Sequence, residues 1–165
     1  MIFGKNEKGF TIIELVVTVF IFTSAVLAIY GFFASMISES NNSISRLKAV
    51  YLAQEGMEIV KNIRDNNFLS GALWNNGLDD GEYEVDYSNT SLSSFTSRYL
   101  KVGSGGFYNY SSGTDTPFRR KIILKSAVDD YGFEYVKVSV IVSWLEKRKE
   151  YDESVIEKIY DVQNL

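Results

Sequence analysis

The sequence predicts an α+β chain. One long N-terminal helix, membrane-spanning in its first half and amphipathic in its second, packs on an antiparallel β-sheet head domain. Three observations lead there. The run Phe10–Ile37 is apolar except for one charge, Glu14. Past Ser38, apolar residues recur at helical spacing. Beyond Phe68, short segments alternate polar and apolar residues between turn signals.

The apolar run comes first in the chain. As a helix, Phe10–Ile37 is about 42 Å long at roughly 1.5 Å per residue. A bilayer needs about 20 apolar residues. Lys5 and Lys8 precede the run, whereas Ser38, Glu39 and Ser40 follow it and basic residues wait until Arg46 and Lys48. The positive-inside rule therefore puts the N-terminus in the cytoplasm and the larger part outside. Removal as a secretory signal after Val26-Leu27-Ala28 is the alternative. It fits poorly, because Glu14 interrupts the apolar core and the run continues through Ile29, Tyr30, Phe32 and Phe33.

Glu14 needs a reason. A carboxylate at the centre of a membrane helix costs roughly 2.5–3.5 kcal/mol on insertion scales. Ionisable residues in such segments are usually functional. The bland reading is that Glu14 sits near the helix end, reaches the headgroups, and faces the positive helix N-terminus.

The second half of the helix is read from Ile44, Leu47, Tyr51, Leu52, Ile59, Val60 and Ile63, with Gly56 on the same face. The expected stop is Asp65-Asn66-Asn67. A separate core helix after a break at Ser40–Ser43 is the alternative. The head follows. Glu82–Tyr87 alternates Glu82, Glu84 and Asp86 with Tyr83, Val85 and Tyr87, which predicts one wet and one buried face. Phe118–Val128 and Tyr135–Leu145 read as strands, the latter burying Val136, Val138, Val140, Val142 and Trp144. After the charged turn Glu146–Lys149, a last strand returns through Tyr151–Tyr160. The sheet has three to five strands, and Gly103–Pro117 reads as a loop.

Composition narrows the chemistry. The 165 residues contain neither Cys nor His, and the net charge is −4. Disulfides, thiolate nucleophiles, His-based triads and His–metal motifs are excluded. No nucleophile stands beside a base in any motif, so no enzyme activity and no cofactor are expected. Asn75–Glu82 is oxygen-rich, as calcium requires, but it lacks EF-hand spacing and reads as a polar turn. Arg119, Arg120 and Lys121 follow Phe107, Tyr108 and Tyr110, a mixture that single-stranded nucleic acid can use. The simpler reading is a solvated basic strand edge, and nucleic acid is an unlikely partner.

Lys8-Gly9-Phe10-Thr11, two apolar residues, Glu14 and a long apolar helix resemble the processing site of type IV prepilins and of type II secretion pseudopilins. Ala49–Phe68 is similar to a stretch in minor pilins of the pilus modification kind and in pseudopilins. The resemblance implies four segments: a cleaved leader 1–9, a membrane and filament-core helix 10–37, its amphipathic continuation 38–67, and a β head 68–165. It implies a prepilin peptidase and methyltransferase that cuts between Gly9 and Phe10 and N-methylates Phe10. Glu14 would then guide the subunit to the Phe10 amine of another pilin subunit, at an inner-membrane assembly platform, with lipid as the earlier neighbour.

Cleavage would leave a charge of about −5, the −4 of the chain less Lys5 and Lys8 and without Glu7. Many major pilins carry a proline in this helix. Here the only proline is Pro117, which points to a minor pilin. The expected path runs from a single pass in the cytoplasmic membrane to the pilus at the cell surface. A secretion pseudopilin is the alternative within the family. A membrane-anchored binding protein that never polymerises is the alternative outside it.

Overall fold

A computed structural model describes residues 9–161; residues 1–8, with Lys5, Glu7 and Lys8 of the expected leader, and 162–165, the end of the expected head, lie outside the described residues. Two compact units divide the chain, Met1–Ser43 and Ile44–Leu165. One helix, α1 (Ile12–Leu69), contributes to both and runs without the break at Ser40–Ser43 that the sequence left open.

In the first unit, every described side chain of Phe10–Ile37 is exposed. This is the one helix among the described residues long and apolar enough to cross a membrane. Three of its hydroxyl groups are satisfied locally. Thr18 donates to the Glu14 carbonyl at 2.7 Å, Ser24 donates to the Phe20 carbonyl at 2.8 Å, and Thr23 donates to the Val19 carbonyl. Polar side chains bonded to the turn below them expose no free donor to an apolar surrounding.

In the second unit, α1 buries Ala49, Leu52, Ala53, Met57, Ile59, Val60 and Ile63. Ile44, Leu47 and Tyr51, which the sequence placed on the same face, are exposed instead. The face that packs turns on small residues, Ala49, Ala53 and Gly56, because they admit the sheet closely. A Cβ at Gly56 would stand 2.9 Å from Val140 Cγ1 and 3.0 Å from Arg120 Cδ. The helix ends two residues beyond the expected stop. Gly71, at φ 72°, donates to the Phe68 carbonyl, and Ala72 donates to the Asn67 carbonyl. That pair of bonds is a Schellman closure, which glycine makes without strain.

Five strands form the main antiparallel sheet: β1 (Gly81–Glu84), β2 (Ser93–Ser94), β6 (Phe118–Val128), β7 (Glu134–Glu146) and β8 (Lys149–Tyr160), in the order β2-β1-β6-β7-β8. Val136, Val138, Val140, Val142 and Trp144 are buried, as alternation in β7 predicts. They meet Ile122, Leu124 and Ile159 in one core with the helix residues. The charged turn is a two-residue link in which Lys147 and Arg148 both hold positive φ, 50° and 68°. That geometry matches the twist of paired strands.

Further expectations fail in this unit. Gly103–Pro117 is not a plain loop. It carries β4 (Tyr108–Asn109) and β5 (Thr114–Asp115), which flank β3 (Lys101–Val102) in a small second sheet. Gly113, at φ 122°, allows this close turn, since a Cβ there would meet the Val102 carbonyl oxygen at 2.2 Å. In Glu82–Tyr87 the faces are not as read: Glu84 and Asp86 are buried and Tyr87 is exposed. The strand ends at Glu84, and neighbouring segments bring donors to both acids.

Candidate functional site

The N-terminal site begins where the helix begins. Thr11 caps α1: the Glu14 amide donates to Thr11 Oγ1 at 3.3 Å, and the Leu15 amide donates to the Thr11 carbonyl at 3.1 Å. Thr11-Ile12-Ile13-Glu14 is thus a capping-box sequence with Glu14 at its third helical position. Sequence reading passed over this signal, although T-x-x-E before an apolar run is visible there. Gly9 and Phe10 precede the cap outside any helix, and a Cβ at Gly9 would meet nothing within 4 Å. Phe10 is strongly exposed.

Glu14 stands one turn along from Phe10 and is exposed. Among the described residues no side chain donates to its carboxylate. The arrangement can do two things. It leaves the Gly9–Phe10 peptide open to solvent beside a capped helix. It also presents a lone carboxylate among apolar side chains, a group whose cost falls when a cation pairs with it.

The head unit holds a second cluster, which sequence reading missed. Glu84 is 1% exposed. Its Oε1 accepts from Arg98 Nε at 2.8 Å and from Thr96 Oγ1 at 2.9 Å, and its Oε2 accepts from the Thr96 amide at 3.1 Å. Burial alone would raise this carboxyl. The Arg98 guanidinium and the two Thr96 donors more than offset burial and hold it below the ordinary carboxylate range. Arg98 also lies over the Tyr110 ring, 4.7 Å from its centre. Burial pushes the Tyr110 hydroxyl up to about 12.

Arg120 is a correction to the expected basic edge. It is 0% exposed, on β6 in the interior of the sheet. Nη1 donates to the Leu52 carbonyl at 3.0 Å and to Glu55 at 3.2 Å, while Nη2 donates to the Val85 carbonyl. Gly56, four residues beyond Leu52, has no side chain to screen that helix carbonyl. Arg120 therefore binds the helix to the sheet and offers nothing to nucleic acid. Its neighbours turn outward and pair with acids: Arg119 with Glu150 and Lys121 with Glu82.

Asn75–Glu82 leads into β1. Asp80 accepts from the Ser126 amide at 2.6 Å, and the Tyr83 hydroxyl donates to the Asp79 carbonyl at 3.1 Å. No group of three or more Asp or Glu gathers at metal-binding distance among the described residues. A cleft of about 740 Å³ is lined by Arg98, Tyr99, Lys101, Tyr110, Pro117 and Leu145. Its two cations are already engaged, Arg98 with Glu84 and Lys101 with Asp115.

Residues 4–30 match the family model described as the prokaryotic N-terminal methylation motif. The match spans Gly9, Phe10, Thr11 and Glu14 and runs into the exposed apolar helix. Comparison with curated proteins finds no match, and comparison with solved structures finds none either.

Proposed function

This chain carries the N-terminal methylation motif of a type IV pilin-like precursor processed by a prepilin peptidase, and from that premise we propose that it is a minor pilin, a structural subunit of a type IV pilus-like filament. The motif match at residues 4–30 carries the reading, because it falls on the helix whose apolar surface nothing in the first unit covers. The absence of proline from the helix and the Ala49–Phe68 resemblance favour a minor subunit.

The proposed steps use the chain's own groups. The peptidase cuts the Gly9–Phe10 bond on the cytoplasmic side, and the new Phe10 amine is N-methylated. Lipid covers Phe10–Ile37 until helices of neighbouring subunits replace it. Glu14 of one subunit then meets the Phe10 amine of another. An ion pair in apolar surroundings contributes little net stability, since both ions lose water. Leaving either one unpaired is costly. The pair therefore selects the stagger at which helices pack.

Mass spectrometry of the mature N-terminus tests the processing. N-methyl-Phe10 is the expected end, and an intact Met1 or an end at Ile29 overturns the reading. Glu14→Gln tests the pairing. The cap is the bond from the residue-14 amide to Thr11 Oγ1, so this variant keeps the cap and loses the charge. It inserts into the membrane but fails to enter filaments, as do Glu14→Ala and Glu14→Val. Normal incorporation overturns the pairing.

A further inference from the structure

The register of the main sheet aligns three lysines. Lys125 on β6 faces Lys137 on β7, and Lys137 faces Lys158 on β8. All three are exposed, on the sheet face opposite the one that carries Arg120, Ile122 and Leu124 to the helix. Neighbouring strands lie about 4.8 Å apart, so the row is about 10 Å wide. Like charges directly opposite each other on adjacent strands destabilise a sheet.

Three other cations on this sheet have acid partners: Arg119 has Glu150, Arg120 has Glu55 and Lys121 has Glu82. Among the described residues none of the three lysines in the row has an ion pair. Asp80, which accepts from the Ser126 amide, is close enough to offset part of the Lys125 charge, but among the described residues no acid stands beside Lys137 or Lys158 in an ion pair. Lys158 lies over the Tyr135 ring at 4.3 Å, which leaves its charge uncancelled.

We infer that this row, centred on Lys137, is a docking surface for an acidic protein surface. The charge that neutralises it comes from outside the chain. Protein is favoured over nucleic acid on two grounds. The adjacent cross-strand row is Ile123, Ser139 and Ile156, with Ile156 56% exposed. An apolar row beside a charged one matches a protein interface, whose apolar centre is rimmed by polar groups. The nearest aromatics offer no free stacking platform, since Lys158 covers Tyr135 and Tyr160 leans on the same ring at 5.4 Å. An extended acidic segment repeats same-side carboxylates about every 6.8 Å, so two of them fit within the row. The inference does not depend on the N-terminal processing site.

The test uses the full chain in neutral-detergent micelles at low salt. Fluorescence anisotropy follows a labelled polyglutamate peptide and a single-stranded oligonucleotide of equal charge. Polyglutamate binds more tightly than the oligonucleotide, and Lys137→Glu weakens it by about tenfold, as expected when the central contact reverses sign. The same substitution keeps or raises the melting temperature, because two repulsive neighbours become Lys–Glu pairs. Equal polyglutamate binding by wild type and Lys137→Glu overturns the inference. So does the absence of binding by wild type, or tighter binding of the oligonucleotide.

Discussion

Glu14 and Glu84 are the same side chain placed in opposite circumstances. Glu84 is buried in the second unit and takes bonds from Arg98 and Thr96, which another segment of the same unit supplies. Glu14 sits among exposed apolar residues in the first unit and has no donor to its carboxylate among the described residues. The head unit supplies this buried acid with its own partners. The N-terminal unit leaves its charge and its apolar surface for something else to meet. Stability of the head should therefore respond to head residues alone, whereas the N-terminal residues should be read in assembly.

The largest effect that would test this contrast comes from Arg98→Ala. It leaves buried Glu84 with only its Thr96 donors. Because Arg98 is half exposed, the loss lies near the lower end of the range of about 3–5 kcal/mol for breaking a buried pair from one side. The thermal melt of the head, followed by near-UV circular dichroism of the full chain, should drop accordingly at neutral pH. The sign with pH is fixed by the direction of the shift. In the wild type Glu84 titrates below its ordinary value, so its contribution is present above the unfolded carboxylate pKa of about 4.3 and is lost as pH falls through the folded value. In the variant, without the Arg98 guanidinium, the carboxyl titrates higher than in the wild type. The gap between the two proteins is then widest near neutrality and narrows as pH falls through about 4. A constant gap would mean that Glu84 does not carry the loss.

Two methionines on the same helix make the next comparison. Met57 is 1% exposed in the core and Met36 is 59% exposed. Met57→Ala should cost the head about 2–4 kcal/mol, from lost transfer energy and the cavity left behind. Met36→Ala should leave the head melt within about 0.5 kcal/mol. Equal losses would show that the two halves of the helix are energetically coupled and would end the contrast.

Much of this was legible in the sequence because it rests on periodicity. The apolar run, the alternation of Val136 to Trp144 and the charged turn at Lys147-Arg148 each announce one element. The exceptions share a physical cause. Glu84, Asp86 and Arg120 were read as wet because an ionised side chain normally stays in water. They are buried because distant segments supply partners: Thr96 and Arg98 for Glu84, the helix carbonyl of Leu52 for Arg120. Nothing local encodes that. Ile44, Leu47 and Tyr51 were misplaced because several helical faces of this segment are apolar, and only the sheet decides which one packs. The helix end was short by two residues because Asp65-Asn66-Asn67 is a plausible stop, while Gly71 closes the helix by its left-handed backbone. At the N-terminus the motif residues are fully visible in the sequence, and the T-x-x-E pattern of the Thr11 cap lies within them.

Gly56→Ala is a subtler probe of the packed half. Alanine gains about 1 kcal/mol of helix propensity over glycine. The new methyl meets Val140, a short stiff side chain, and the stem of buried Arg120. Overpacking of this kind costs about 1–3 kcal/mol. The net should be a loss of about 1 kcal/mol. The matching change Gly31→Ala has open space around it and should not lower the head melt. Stabilisation by Gly56→Ala would mean that the helix and sheet can separate slightly at no cost, and the close approach would lose its meaning.

The smallest effect belongs to Lys61, which joins the helix to β8 through Glu157 at 2.9 Å and to its own helix through Glu58 at 3.2 Å. The Glu157 bond, opposed by partial burial and helped by Glu58, holds the ammonium above its ordinary pKa. Such a group stabilises the fold fully below the unfolded lysine pKa of about 10.4, and the contribution fades as pH rises through the folded value. Both partners touch solvent, so Lys61→Ala should cost less than about 1 kcal/mol. That loss should shrink in about 1 M salt, where charges are screened within about 3 Å. Lys61 thus separates charge from packing at the helix–sheet contact. A loss that ignores both salt and alkaline pH would move Lys61 from the electrostatic account to its methylene stem lying on the sheet.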